Sequence, residues 1–104
     1  MQYITKKEEF EQLIKENNNV VIDFFATLCN PCKMLSPIIE EIANEVNNVT
    51  FVKVDVDKAH ELSEMFGIMS IPTVVYIKNQ KMALREMGFK PKSAIMQNLK
   101  TIYE

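Results

Sequence analysis

The two cysteines of this chain lie three residues apart in Phe24-Phe25-Ala26-Thr27-Leu28-Cys29-Asn30-Pro31-Cys32-Lys33, where an apolar run gives way to an amphipathic one. Before them, Val20-Val21-Ile22 and Phe24-Phe25 are β-branched or aromatic, as in a strand buried on both faces. After them, Met34, Leu35, Ile38, Ile39, Ile42, Ala43 and Val46 recur at helical spacing and leave Lys33, Glu40, Glu41, Asn44 and Glu45 to the opposite face. Pro31 suits the first turn of that helix, because its missing N–H removes a donor that has no intrahelical acceptor. Cys29 is thereby predicted at a helix N-terminus.

Unpaired N–H groups and the positive end of the helix dipole favour an anion there, so the Cys29 thiolate is expected to form more readily than that of a free cysteine. Cys32, one turn further on, is within disulfide reach. A nucleophilic thiol beside a second thiol can attack a substrate disulfide, form a mixed disulfide, and then be released by its neighbour. A Cys-x-x-Cys pair can instead be half of a zinc site, but such a site takes about four protein ligands. Beyond the two cysteines the chain offers only one histidine, His60. Within one chain the redox reading is favoured; a metal or iron–sulfur site shared by two chains is a separate possibility.

The 104 residues suit a single domain spanning 1–104, large enough to bury about two-thirds of its unfolded surface. A net charge of −2 with intermixed signs leaves no electrostatic footprint for nucleic acid or an anionic membrane. No apolar run approaches bilayer-spanning length. Met1-Gln2-Tyr3-Ile4 passes straight into Thr5-Lys6-Lys7-Glu8-Glu9 without the apolar stretch of a signal peptide. With only two cysteines, both in one reactive-type motif, the expected compartment is the cytoplasm.

Along the chain, Gln2-Tyr3-Ile4 is predicted as a short strand. Thr5 and Glu8 form a capping-box pattern ahead of a helix that runs to about Glu16 with Phe10, Leu13 and Ile14 inward. Asn17-Asn18-Asn19 ends it. Strands at Val20–Ala26 and Val49–Asp55 flank a helix from about Pro31 to Val46, kinked at Pro37, and the helical crossover makes the two strands parallel. Asp57 is expected to cap a short helix stopped by Gly67. Thr73–Ile77 and Met82–Met87 form an antiparallel hairpin about a turn at Asn79-Gln80-Lys81. Gly88 breaks it, and Pro91 begins a last helix with Ile95, Leu99 and Ile102 facing the sheet. The order β-α-β-α-β-α-β-β-α describes an α/β fold with a mixed sheet flanked by helices on both faces. His60 is expected to be solvated. Met34, Met65, Met82, Met87 and Met96 are expected as gap-fillers at or beside apolar positions, and Met69 as a neighbour of the active site.

With Cys29-Asn30-Pro31-Cys32-Lys33, this element order and Ile71-Pro72-Thr73 together, the sequence resembles a thioredoxin over essentially its whole length. Val21-Ile22-Asp23-Phe24, Pro37, Lys53-Val54-Asp55-Val56-Asp57, Gly67-Ile68-Met69-Ser70 and Gly88 carry the same resemblance. It implies the thioredoxin fold and a protein-disulfide reductase, with Cys29 as nucleophile and Cys32 as resolving thiol. Asp23 matches the buried carboxylate that takes up the second thiol's proton, and Lys53 the lysine near it. Desolvation between Ile22 and Phe24 raises a carboxyl's pKa toward general-base range, although the residues alone fit a hydrogen-bonded structural aspartate and an exposed strand lysine equally well. The resemblance also implies a cis Ile71–Pro72 bond that sets the Ile71 backbone beside the disulfide, to pair with a client's extended chain. The implied docking surface is Leu28, Asn30, Pro31, Ile71, Pro72 and Gly88. Turn geometry accounts for Gly67, whereas Gly88 serves turn geometry and close backbone approach together.

No bound cofactor is implied beyond a redox-active Cys29–Cys32 disulfide. The resemblance implies that electrons come indirectly from NADPH through a thioredoxin reductase; the chain has no nucleotide-binding fingerprint with which to hold that cofactor itself. The implied partners are that reductase and disulfide-containing client proteins, met as a monomer. Leu28 and Phe25 stand where thioredoxins usually carry tryptophan, and Asn30 where they carry glycine. Leu28 keeps an apolar lip without a flat indole. Pro31 and the lack of a histidine between the cysteines favour a reductant over an oxidising isomerase. A redox-inactive thioredoxin-like binding module or subunit is the alternative of a different class.

Overall fold

A strand with two apolar faces needs cover on both sides, and the computed structural model, which describes Met1–Glu104, places that strand at the centre of a five-stranded sheet. In chain order the elements are β1 (Gln2–Tyr3), α1 (Lys7–Glu16), β2 (Asn19–Phe25), α2 (Asn30–Glu45), β3 (Thr50–Asp55), α3 (His60–Met65), β4 (Thr73–Lys78), β5 (Lys81–Met87) and α4 (Lys92–Tyr103). The strand order is β1-β3-β2-β4-β5. β3 runs parallel to β1 and β2, and β4 is antiparallel to both β2 and β5.

Alternation along the strands divides the core. Val20, Ile22 and Phe24 share one face with Val52, Val54, Val75 and Ile77, covered by Phe10 and Leu13 of α1 and Leu62 of α3. Val21, Phe51, Val74 and Tyr76 share the other, covered by Leu35, Ile39 and Ile42 of α2 and Ile95 and Leu99 of α4. By the same alternation Asp23 and Lys53 project to the α2 side, directly paired in the β2/β3 register. Two buried acids, Asp23 and Asp55, and one buried lysine thus share the face covered by the helix that begins at the cysteines.

Four local expectations are corrected. α1 is capped at Lys6, one residue late: the Glu9 carboxylate, not Glu8, accepts the N–H groups of Thr5 and Lys6 at 3.0 Å each. α3 starts at His60 rather than just after Asp57, because Asp55 organises a turn first. Its carbonyl accepts from Lys58 and Ala59 N–H, and its Oδ1 accepts from Asp57 N–H. The β4–β5 loop is only Asn79-Gln80, both left-handed at φ 51° and 69°, as a two-residue hairpin turn requires, so β5 begins at Lys81. Met34, Met65, Met82 and Met87 are exposed and fill no gap; only Met96 is packed, half-buried against the α2–α4 face. Met34 is displaced from the buried stripe by its neighbour Leu35, and Met82 and Met87 sit on an edge strand.

α2 continues through Pro37 as one helix, and strand ends fall within a residue of expectation. His60 is exposed. No helix is long and apolar enough to cross a membrane. The last helix is fastened by Tyr103, whose hydroxyl lies 2.8 Å from the Ile77 carbonyl and 3.1 Å from that of its cross-strand partner Val20. Replacing Tyr103 by Phe leaves two inward carbonyls without that donor and is expected to lower stability by about 1–2 kcal/mol, read as a lower urea midpoint at unchanged m-value.

Candidate active site

The loop leaving β2 delivers Cys29 to the N-cap of α2 in an extended conformation (φ −146°, ψ 106°). Its carbonyl accepts from Lys33 N–H at 3.1 Å, and its Sγ accepts from Cys32 N–H at 3.2 Å. Asn30 and Pro31 form the first turn, which contains no acidic residue to oppose a negative charge on sulfur. The two cysteines are joined as a disulfide with their Cα atoms 5.2 Å apart. Burial separates their roles: Cys29 is half-exposed, whereas Cys32 is only 3% exposed. A bulky disulfide can reach the first sulfur and not the second.

The rest of the site gathers at the same end of the sheet. The β2/β4 register sets Thr73 opposite Phe24, and the β4/β5 register sets Met87 opposite Thr73. The residues just outside these pairs, the Cys29 loop, Ile71–Pro72 and Gly88, therefore share one rim. The Ile71–Pro72 bond is cis, as the resemblance implied. Gly88 N–H donates to the Pro72 carbonyl at 2.8 Å, and the Thr73 hydroxyl donates to the Ser70 carbonyl at 2.7 Å. Gly88 has φ +89°, and a Cβ there would meet nothing within 4 Å, so conformation demands glycine and the space outside stays open. Leu28 and Met69 are 94% and 93% exposed, Asn30 and Pro31 are exposed, and Ile71 is half-buried.

Beneath the rim, Asp23 is 2% exposed, and its Oδ1 has no hydrogen-bond partner. The reading of Asp23 as a hydrogen-bonded structural group fails at that atom. Desolvation pushes its pKa up to about 6, with Lys53 pulling down and Glu40 pushing up. The exposed-lysine reading of Lys53 fails as well, since it is only 5% exposed. Its ammonium donates to the Ser36 hydroxyl and lies 4.8 Å from the Phe25 ring centroid and 5.4 Å from that of Tyr3. Phe25 thus still offers an aromatic face where the family has tryptophan. A cavity of about 230 Å³ is lined by Phe25, Ala26, Thr27, Cys32, Lys33, Ser36 and Lys53, and so opens beside the inner cysteine. Sequence reasoning missed Ser36. Its available signal was a hydroxyl one turn after Cys32, on the same face of an otherwise apolar helix.

The thioredoxin family profile matches residues 2–101. The chain belongs to the thioredoxin family. It is 49% identical over 100 residues to the thioredoxin of Mycoplasmoides gallisepticum, covering 96% of this chain and all of that one. It is 37% identical over 100 residues to the bifunctional thioredoxin reductase/thioredoxin of Mycobacterium leprae, covering 95% of this chain but 22% of that protein. Among solved structures, the Plasmodium falciparum thioredoxin superposes with a TM-score of 0.91 at 34% identity, over 98% of this chain and 99% of that one. As a thioredoxin-family member the chain has the thioredoxin fold and is a thiol-disulfide oxidoreductase, a protein-disulfide reductase acting through a redox-active Cys-x-x-Cys pair.

The raised Asp23 pKa links the site to stability. In the folded chain Asp23 binds its proton up to about pH 6, and in the unfolded chain only to about 3.8. Between these values the folded state holds more protons, so Asp23's contribution to stability is intact below the lower value and is lost as pH rises through the upper one. Asp23→Asn is therefore expected to be more stable than the parent at pH 8, by on the order of 2–3 kcal/mol, with the gain vanishing near pH 4. Denaturant melts at both pH values check this; equal gains at the two would rule out proton linkage as the cause.

Proposed function

We propose that Cys29 is the nucleophile and Cys32 the resolving thiol of this reductase, with Asp23 as proton acceptor and Lys53 as the charge beside it. The Cys29 thiolate attacks one sulfur of a client disulfide; that S–S bond breaks, and the other client sulfur leaves with the electron pair and takes a proton from solvent. Cys32 then passes its proton to Asp23 and attacks Cys29 Sγ, breaking the mixed disulfide. The client has gained two electrons, and the Cys29–Cys32 disulfide has formed. The observation that carries these roles is Cys29, partly exposed at a helix N-cap, with its Sγ accepting the N–H of a buried Cys32.

Clients dock across Leu28, Asn30, Pro31, Ile71 and Gly88, with the buried Pro72 shaping the loop beneath, the Ile71 backbone pairing an extended segment and the exposed apolar side chains covering its flanks. The oxidised chain is returned to the dithiol by a thioredoxin reductase that draws on NADPH; a relative carrying reductase and thioredoxin in one protein supports that partnership. In this reading residues 1–104 work as a single domain, a monomer of the cytoplasm with no nucleic-acid or membrane partner.

Insulin reduction driven by NADPH and a thioredoxin reductase tests the assignment. Cys29→Ser is expected to abolish turnover, whereas Cys32→Ser accumulates mixed disulfides with clients because attack proceeds without release. Trapping by Cys29→Ser but not by Cys32→Ser would reverse the two roles, and an inert parent chain would favour a docking module.

A further inference from the structure

Asp23 and Lys53 are opposite partners in the β2/β3 register and project from the same face of the sheet, so their strands lie only about 5 Å apart. Both are buried, and they form no ion pair: the ion pairs of the chain join Lys92 to Glu41 and Glu45. Instead the Lys53 ammonium turns toward the cavity beside Cys32, donates to the Ser36 hydroxyl and rests against Phe25 and Tyr3. Asp23 Oδ1 is left without a protein partner. A buried cation bonded to a neutral hydroxyl while a buried carboxyl one strand away goes unpaired is the opposite of what Coulomb attraction alone selects. Something must hold the cation back, and Ser36 is the one group that accepts a hydrogen bond from it.

We propose that Ser36 is a positioning residue for proton transfer, whose hydroxyl holds the Lys53 ammonium on the cavity side and keeps Asp23 free of an ion pair while it accepts the Cys32 proton. The inference rests on the proton-accepting role given to Asp23 above. Direct contact with a cation lowers a carboxyl's pKa by about 1–3 units, which would leave Asp23 a poor acceptor near neutral pH. The charged groups bearing on Asp23 are Lys53 from β3 and Glu40 from α2. Its β4 partner is Val74, and α4 adds Ile95 and Leu99 to the core of that face, with Met96, Ile102 and Tyr103 packed against it. Lys53 is thus the cation that bears on the acid, with the buried Asp55 two residues on sharing its face and Lys33 lining the same cavity. Ser36 lies one turn beyond Cys32 on α2, so the helix that carries the resolving thiol also carries the tether.

The test follows the Asp23 carboxyl by carbon-13 NMR in the reduced protein, alongside the pH profile of client release from a preformed Cys29 mixed disulfide. Ser36→Ala, a change a helix tolerates well, frees Lys53 and is expected to lower the Asp23 midpoint by about one pH unit. The inflection of the release profile should move down with it. Ser36→Thr keeps a hydroxyl and should restore both. Lys53→Met should raise the midpoint, and adding Ser36→Ala to it should change nothing further. An unchanged or raised midpoint in Ser36→Ala, in protein that melts like the parent, overturns the proposal, as does a downward shift that persists in the Lys53→Met background. Midpoints that move as expected while release ignores them uphold Ser36's hold on Lys53 and overturn the proton-accepting reading of Asp23 instead.

Discussion

Covering β2 on both faces is the constraint from which the rest of the structure follows. Its apolar residues demand helices above and below the sheet, so the chain must cross over between parallel strands, and α2 is that crossover. A crossover helix starts where its strand ends. The Cys29 sulfur is therefore placed at a helix N-terminus by the same packing that buries Val20–Phe24. The single acid in that strand has no face left on which to meet water, which is why Asp23 lies under α2 with a weakened acidity.

The chemistry depends on inequality between two thiols of identical type. Helix geometry turns one Sγ outward at the cap and the other inward one turn later, and the Cys32 N–H points at the outer sulfur. A charge on Cys29 is stabilised by backbone that is already in place, so little reorganisation accompanies its formation. Cys32 has the reverse setting, buried one turn further along beside a cavity that it shares with Phe25, Ser36 and Lys53. The proposed order of attack thus rests on burial and dipole direction rather than on the cysteines themselves.

Much of this was legible in the sequence because it rests on periodicity and punctuation. The β-branched and aromatic run of Val20–Phe25, the helical stripe from Leu35 to Ile42 and the position of Pro31 suffice to place Cys29 at its cap. The cis bond at Pro72 was visible only through family resemblance, since Ile-Pro is the same dipeptide in either isomer. Lys53 shows where one-dimensional reading stops. Whether a strand lysine faces water depends on what lies over that face, and Ser36, Phe25 and Tyr3 come from three other elements. The gap-filler reading of Met34, Met65, Met82 and Met87 failed for a related reason: apolar character says that burial is tolerated, not that a neighbour exists to provide it. The helix starts at Lys7 and His60 were misplaced because Glu9 and Asp55 each won a local competition for backbone N–H groups that composition alone leaves undecided.

Leu28, next to Cys29, and Met69, two residues before the cis Ile71–Pro72 bond, stand almost wholly in solvent. An indole at such a place presents one rigid plane and rewards partners shaped to it. A branched aliphatic side chain and an unbranched thioether present no fixed plane; they re-pack against whatever arrives and lose rotamer freedom in doing so. A lip of that kind trades tightness for tolerance. For an electron carrier that must leave each partner after a single exchange, weak and forgiving contact favours quick departure, and departure is as much a part of turnover as arrival.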